Sequence, residues 1–214
     1  MDIILYSAQG SNSSERVEWA LKYKAIAYAR VEVTGEQLTS TYLQINPLGY
    51  VPALSVNGLV LTESMAIIEC MEELFPHPPL LGGDVMTKAR VREICEYVNG
   101  SIHTPQNRSV LKALRPELNE HDKRKLRAQW IAQGLEKLAL KLCLDSPFAV
   151  GDTFSLADIF VATIYKKALQ HGARPIAFYD SHLAQLREHQ RIAHAEPQSS
   201  TEGTYGVSTL LLSE

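Results

Sequence analysis

The chain has 214 residues, of which 45% are hydrophobic and 21% charged, and its formal net charge is -3. That composition is typical of a globular protein with a sizeable core, and without an excess of clustered cations we expect no nucleic-acid partner. No apolar run approaches the ~20 residues that a membrane span needs, and the start lacks the pattern of a secretory signal. Cys70, Cys95 and Cys143 lie far apart. This sparse, odd set predicts buried thiols in a reducing compartment, so we expect a cytoplasmic protein with no metal site.

The N-terminal part alternates strand and helix patterns. The clearest local signal is Asn57-Gly58, a two-residue hairpin turn between apolar runs at 53–56 and 59–61. Before it, strands are predicted at 3–6 and 28–33, with helical spacing over 17–24 and a short helix at 37–45. A further helix is predicted over 63–74. The predicted order is therefore β-α-β-α-β-β-α.

A stiff connector follows, with three prolines at 76, 78 and 79 and glycines at 82 and 83. Beyond it strand patterns almost vanish, and long helices are predicted over 87–113 and 120–142, with bends at Gly100, Pro105 and Gly134. The helix over 154–171 has a complete N-terminal signature, with Ser155 as N-cap and Asp158 at N3. A last helix is predicted over 182–192, and the tail 196–206 is expected to be loosely structured. We therefore predict an α/β domain at 1–76, a linker at 77–84 and an all-helical domain at 85–214.

A βαβ half followed by a ββα half, with a proline just before the third strand, resembles the thioredoxin fold. In that fold the bond before the proline is cis, which implies that Val51 presents its backbone N–H and C=O to an extended ligand next to Pro52. The alternative is an ordinary proline at the first residue of a strand.

The predicted helix at Glu63-Ser64 suggests what kind of ligand this is. A helix N-terminus suits a carboxylate, Ser64 adds a hydroxyl donor, and Glu63 accepts from an ammonium group. An α-amino acid end carries both charges. The alternative is that Thr62 or Glu63 simply caps the helix.

Four stretches together resemble the glutathione transferase superfamily: NPLGYVPAL (46–54), LTESMAIIEC (61–70), the proline-rich connector and VGDTFSLADIF (150–160). The resemblance implies glutathione as the cofactor. Val51 and Pro52 would hold its cysteine backbone, and Glu63 and Ser64 its γ-glutamyl end. The box around Ser155 would be structural.

The loop SNSSERVEWAL (11–21) stands where this superfamily keeps the residue that activates the thiol. A hydroxyl that donates a hydrogen bond to sulfur favours the thiolate, and a helix N-terminus adds to the effect. Serine-type members place this serine five residues before an arginine, which Ser11 and Arg16 satisfy. Ser13 and Ser14 are alternatives, and one of the three serines is expected to act as the N-cap.

GSIHTPQNRSVLK (100–112) and AQWIAQGLEKLALKL (128–142) are similar to the zeta class, the maleylacetoacetate and maleylpyruvate isomerases. By that resemblance Gln106 contacts glutathione; the alternative is a polar kink at Pro105. The chain departs from the class at several positions: Asn12, Ser13 and Glu15 replace a serine, a cysteine and a tryptophan, Glu63 replaces a glutamine, and Gln170 replaces the arginine that binds a substrate carboxylate. Five nearby cations could supply that charge, although a solvated helix face is the simpler reading: Arg108, Lys112, Arg115, Lys166 and Lys167.

The resemblance implies a glutathione-dependent enzyme in which a serine-stabilised thiolate attacks a small electrophile in a cleft between two domains. One version is cis-trans isomerisation. The alternatives are a general conjugating or dehalogenating transferase, favoured by Ser13 and Gln170, and a non-catalytic interaction module of the same fold. A homodimer is implied, with the helices over 87–113 and 120–142 forming much of the interface.

Overall fold

A computed structural model describes residues 1–143 and 145–198. The predicted tail lies, from residue 199, outside the described residues. The chain divides into two compact units, one of Met1–Pro78 together with the chain from His194 and one of Pro79–Ala193. In the described ranges, no helix combines the length and the apolar character needed to cross a membrane.

The first unit is built on a four-stranded mixed sheet. Its strands are β1 (Ile3–Ser7), β2 (Ala29–Glu32), β3 (Ala53–Val56) and β4 (Leu59–Thr62), in the order β2-β1-β3-β4. β1 is parallel to β2, and β3 is antiparallel to both β1 and β4. The hairpin turn is confirmed, because Asn57 and Gly58 both have positive φ (50° and 87°). With helices α1 (Asn12–Tyr23) and α2 (Ser64–Leu74), this is the thioredoxin-like βαβ-ββα arrangement that the sequence predicted.

The prediction of one short helix over 37–45 is wrong. The segment forms two 3-10 turns, Gln37–Thr39 and Thr41–Gln44, separated where Ser40 leaves helical geometry (φ -137°, ψ -109°). Tyr42 is fully buried and stacks in a tilted arrangement on Tyr6. Burial of this one ring outweighs the weak preference of the segment for a continuous helix.

A buried lysine ties the end of α1 to the end of α2. Lys24 Nζ lies 2.6 Å from a carboxylate oxygen of Glu72 and donates to the carbonyls of Phe75 and Pro78, at 2.8 Å each. The Lys24 side chain has no solvent exposure, so its charge depends on these three oxygens. The first unit is thereby fastened at the start of the connector.

The second unit is helical throughout its regular elements. They are α3 (Val85–Glu96), a π segment (Tyr97–His103), a 3-10 turn (Thr104–Gln106), α4 (Arg108–Leu114), α5 (Glu120–Ala139), α6 (Leu156–Gln170) and α7 (Ala177–Glu188). The chain then continues into α8 (Gln190–Ala195). The helix predicted over 182–192 is therefore two helices, separated at His189 (ψ 106°).

The two long predicted helices differ in how they respond to their breakers. The one over 87–113 changes to π geometry around Gly100 and to a 3-10 turn at Pro105, so this predicted helix is interrupted at both positions. α5, by contrast, runs unbroken through Gly134. A Cβ there would lie 2.6 Å from Cγ1 of Ile102, so this glycine allows close packing and does not bend the helix.

The capping box predicted at the start of α6 is confirmed. Ser155 donates to Asp158 Oδ2 through its backbone N–H (2.8 Å) and its hydroxyl (3.0 Å). Asp158 Oδ1 also accepts from the backbone N–H of Ala149 at 2.6 Å and lies 2.9 Å from His182 Nε2. Asp158 is fully buried, so one carboxylate joins α6, the loop before it and α7.

Candidate active site

The strand register brings three loop segments to the same end of the sheet, where β1 and β4 end and β3 begins. Tyr6 pairs with Ala53, and Ala53 pairs with Thr62. Three segments therefore lie at this end of the sheet: the one that follows β1, the one that precedes β3 and the one that follows β4. These segments carry the predicted residues Ser11, Val51-Pro52 and Glu63-Ser64.

The backbone before β3 is available to a ligand. The peptide bond between Val51 and Pro52 is cis, as the thioredoxin resemblance implied. The Val51 side chain packs against the buried cluster that contains Tyr6 and Tyr42. Within residues 1–143 and 145–198, no hydrogen bond engages the backbone N–H or C=O of Val51. This geometry suits an extended, peptide-like partner.

The start of α2 has the features of an anion-binding helix N-terminus. Glu63 occupies the N-cap position with a positive φ of 68°, and its exposed side chain makes no capping hydrogen bond. The simple capping role for Glu63 is therefore wrong. Ser64 is 3% exposed, and its hydroxyl has no hydrogen-bond partner among the described residues. The first-turn N–H groups and this hydroxyl suit a carboxylate, and the Glu63 carboxylate suits a cation beside it.

Ser11 is the N-cap of α1. Its Oγ accepts from the backbone N–H of Ser14 at 3.3 Å and from the Ser14 hydroxyl at 3.0 Å. Because both contacts use lone pairs of Oγ, the Ser11 hydrogen remains available for an incoming acceptor. Ser13 is half-buried in the same first turn, and its side chain has no partner in the part of the chain that is described. Ser11 thus combines the N-cap role with a free hydrogen, Ser13 also has a free hydrogen, and the Ser14 hydrogen is used in its bond to Ser11.

Arg16 lies beneath this turn. Its side chain is fully buried, and Nη2 donates to Oδ1 of Asn12 at 2.7 Å. A guanidinium with no exposed surface does not reach a ligand. Its contact with Asn12, the first residue of α1, indicates a positioning role for the turn that carries Ser11 and Ser13.

In the second unit, Gln106 is 4% exposed in the 3-10 turn before α4. Its side-chain Nε2 donates to the backbone carbonyl of His103 at 3.0 Å, and the backbone carbonyl of Gln106 accepts from Arg127 Nε at 3.2 Å. The turn around Gln106 is therefore held from two sides, which gives the side chain a defined position.

Four of the five candidate cations fall into two groups. Arg108 and Lys167 lie within electrostatic range of His171, at the end of α6. Lys112 is exposed on α4, and the exposed Arg115 at the C-cap of α4 pairs with Glu117. For this second pair, a role as ordinary solvated surface residues explains the charge.

The sequence analysis did not identify two arginines near His171. Arg124 and Arg127 on α5 also lie within its electrostatic range. A signal existed, because Arg127 stands one helical turn before the buried Ile131 and two before the buried Leu135. An arginine in the apolar stripe of a helix marks a built polar position.

The fold and the site define a glutathione-binding, thioredoxin-like unit followed by a helical unit, and comparisons with known proteins agree. The family profile for the glutathione S-transferase N-terminal domain matches residues 5–79. Maleylacetoacetate isomerase of Pseudomonas aeruginosa is 39% identical over 166 residues, which are 73% of this chain and 77% of that protein. The holo structure of maleyl pyruvate isomerase, described as a bacterial zeta-class glutathione S-transferase, has a TM-score of 0.84 and 29% identity, covering 94% of this chain and all of that one.

A third relative is a maleylacetoacetate isomerase structure from Methylobacterium extorquens with bound malonate and glutathione. Its TM-score is 0.83 at 26% identity, covering 92% of this chain and 97% of that one. The chain therefore belongs to the glutathione S-transferase superfamily and is most similar to its zeta class. It is a glutathione-dependent enzyme of the transferase or isomerase type.

Proposed function

We propose that this enzyme isomerises a small cis-unsaturated dicarboxylic acid of the maleylpyruvate or maleylacetoacetate type, with glutathione as cofactor. The observation that carries the proposal is the Ser11 hydroxyl, which caps α1 and keeps its hydrogen for a further acceptor. Relatives support the substrate class: those named above are isomerases of this kind, and the structure of one contains both a small dicarboxylate, malonate, and glutathione.

The loops at this end of the sheet offer groups for the cysteine backbone and for the γ-glutamyl end of glutathione. In our proposal Val51, next to Pro52, pairs with the cysteine backbone through its free N–H and C=O. Ser64 and the first-turn N–H groups of α2 hold the γ-glutamyl carboxylate, and Glu63 pairs with its ammonium group. Gln106 adds a contact from the helical unit. The domain boundaries 1–76 and 85–214 are part of this proposal.

When bound, glutathione supplies a thiolate for reversible addition to the cis double bond, which allows rotation and is reversed by elimination. The chain's own groups act on charge and position. Ser11 donates a hydrogen bond to the sulfur and so favours the thiolate over the thiol, whose ordinary pKa is near ~8.5. The N-terminus of α1 contributes in the same direction. Ser13 is the alternative donor, and Arg16 keeps the turn in place.

The test of the Ser11 assignment is a serine series. Ser11→Ala removes a hydrogen bond to a charged acceptor, worth roughly 1.5–3 kcal/mol, so kcat/KM should fall about 10–100-fold near pH 6.5 and recover partly at pH 9. Ser13→Ala is the matched control in the same turn and should lose less than about 3-fold (~0.6 kcal/mol). A larger loss in Ser13→Ala than in Ser11→Ala would move the assignment to Ser13.

A second candidate is a conjugating or dehalogenating transferase, favoured by Ser13 in place of the cysteine that the class carries. The two functions differ in glutathione consumption. Isomerisation of maleylpyruvate proceeds with no net loss of thiol, whereas conjugation of a chlorinated aromatic or dehalogenation of a chloroacid uses thiol stoichiometrically or releases chloride. Turnover of the chlorinated substrates with none of maleylpyruvate would replace the isomerase proposal.

We also propose that the protein is a cytoplasmic homodimer. Large apolar side chains are exposed near the start of α3 (Val85 79%, Met86 76%) and on α5 (Trp130 42%), which supports an interface formed by these helices. Cys70, Cys95 and Cys143 are free thiols, which accords with a reducing compartment. The prediction that all three are buried is wrong, because Cys70 is half-buried and Cys143 exposed. Sedimentation equilibrium at micromolar concentration should give twice the 23.8 kDa chain mass, and a monomer alone would contradict the dimer.

A further inference from the structure

Cations from three helices of the second unit converge on His171. They are Arg108 on α4, Arg124 and Arg127 on α5, and Lys167 on α6. Burial, together with these four positive groups, lowers the pKa of His171 to about 4, so the imidazole is neutral at pH 7. Arg108 and Arg124 are exposed whereas Arg127 is buried, so Arg127 is the arginine whose charge solvent offsets least.

Arg127 has the strongest features of a ligand-binding residue in this cluster. Its side chain is only 5% exposed, and Nε donates to the carbonyl of Gln106, which sets the plane of the guanidinium group. No acceptor within residues 1–143 and 145–198 bonds to either Nη nitrogen. Neither Nη atom of Arg127 is fully buried, so a ligand can reach both of them.

The local carboxylate does not neutralise Arg127. Glu120 acts on it electrostatically, but within the described residues the ion pair of Glu120 is with Lys123, at 3.6 Å. Burial lowers the pKa of the Arg127 guanidinium, which shows that desolvation of its charge is incompletely offset. Arg127 is mostly buried and only its Nε is bonded to the protein, so its two accessible Nη atoms are placed to bind an anionic ligand.

The cluster lies beside the position where the zeta resemblance expects a substrate-binding arginine and the chain has Gln170. Arg124 Nη2 donates to the carbonyl of Gln170 at 2.6 Å, which places the basic face of α5 at this end of α6. We propose that Arg127, with Arg108 beside it, binds a carboxylate of the electrophilic substrate and so replaces the missing arginine at position 170. This inference rests on the proposed isomerase function. A planar guanidinium with both Nη atoms free matches a carboxylate in bidentate geometry.

The experiment compares Arg127→Gln with Arg115→Gln, an exposed arginine paired with Glu117 outside the cluster. Kinetics are measured with maleylpyruvate and with the uncharged electrophile 1-chloro-2,4-dinitrobenzene. Arg127→Gln should lower kcat/KM for maleylpyruvate about 10–100-fold and change the rate with the uncharged electrophile less than about 3-fold. Arg127→Lys should fall between, because it keeps the charge and loses the fork. Arg115→Gln should change neither.

A second measurement, calorimetric titration of malonate into the glutathione-saturated protein, separates this inference from the proposed function. Wild type should bind malonate, and Arg127→Gln should bind it at least ten-fold more weakly. If wild type turns over no maleylpyruvate but loses malonate binding in Arg127→Gln, the isomerase proposal fails and the anion site stands. Equal malonate affinity in the two proteins, no malonate binding by wild type, or equal losses with both electrophiles would overturn the inference.

Discussion

The substitution Asp158→Asn tests how much of the helical unit depends on one buried carboxylate. Asp158 has no exposed surface, and its two oxygens face the backbone N–H groups of Ala149 and Ser155, the Ser155 hydroxyl and His182 Nε2. An asparagine has one oxygen and one NH₂ group. In one orientation the NH₂ meets the N–H of Ser155, and in the other it meets the N–H of Ala149. Either way, a buried backbone donor loses its acceptor.

The expected magnitude follows from that count. A hydrogen bond to a charged group contributes roughly 1.5–3 kcal/mol, and an orphaned buried donor costs roughly 1–3 kcal/mol. Asp158→Asn should therefore lower the unfolding free energy of the helical unit by about 3–5 kcal/mol. The control is Asp152→Asn, an exposed aspartate in the same loop, for which we expect a change within about 0.5 kcal/mol.

The two tryptophans make the assay specific for each unit. Trp19 is fully buried in α1, and Trp130 is 42% exposed on α5. In a Trp19→Phe background, urea unfolding followed by fluorescence reports the surroundings of Trp130 alone. Asp158→Asn should shift that transition to lower urea. Midpoints for Asp158→Asn and Asp152→Asn that agree within error would refute the reasoning.

Three further predictions concern other parts of the chain. Because burial and nearby cations lower the pKa of His171 to about 4, stability should decline as the pH falls from about 6.5 to 4. After allowance for partial exposure, His171→Leu should remove about 1–2 kcal/mol of that decline in urea titrations across the pH range, and an unchanged slope would contradict the assignment. Lys24→Met removes the cation beside the half-buried Glu72 and should destabilise the first unit by about 3 kcal/mol, whereas Lys24→Met with Glu72→Leu should recover part of the loss, as measured by Trp19 fluorescence. Gly134→Ala forces a methyl group against Ile102 and should cost about 1–3 kcal/mol, and the cost should shrink in an Ile102→Ala background.

Local signals predicted well wherever the relevant contacts lie within a few residues along the chain. The Asn57-Gly58 turn and the box between Ser155 and Asp158 form as expected, because their hydrogen bonds and backbone angles involve neighbours in sequence. The segment around Ser40 was mispredicted because a distant ring, Tyr6, determines where Tyr42 is buried. Gly134 was misread for a similar reason, since its close neighbour Ile102 is far away in sequence.

The sequence by itself determined the thioredoxin-like order of elements, the superfamily and the loops that hold the predicted glutathione contacts. These depend on motifs whose residues are adjacent or regularly spaced. Only the tertiary structure decided that the Ser14 hydroxyl donates its hydrogen to Ser11, that Arg16 is buried, and that Arg108, Arg127 and Lys167 act on His171 from three helices. The position of Arg127 in the apolar stripe of α5 was visible in the sequence, but its proximity to charges on other helices was not, because that proximity is set by how the helices pack.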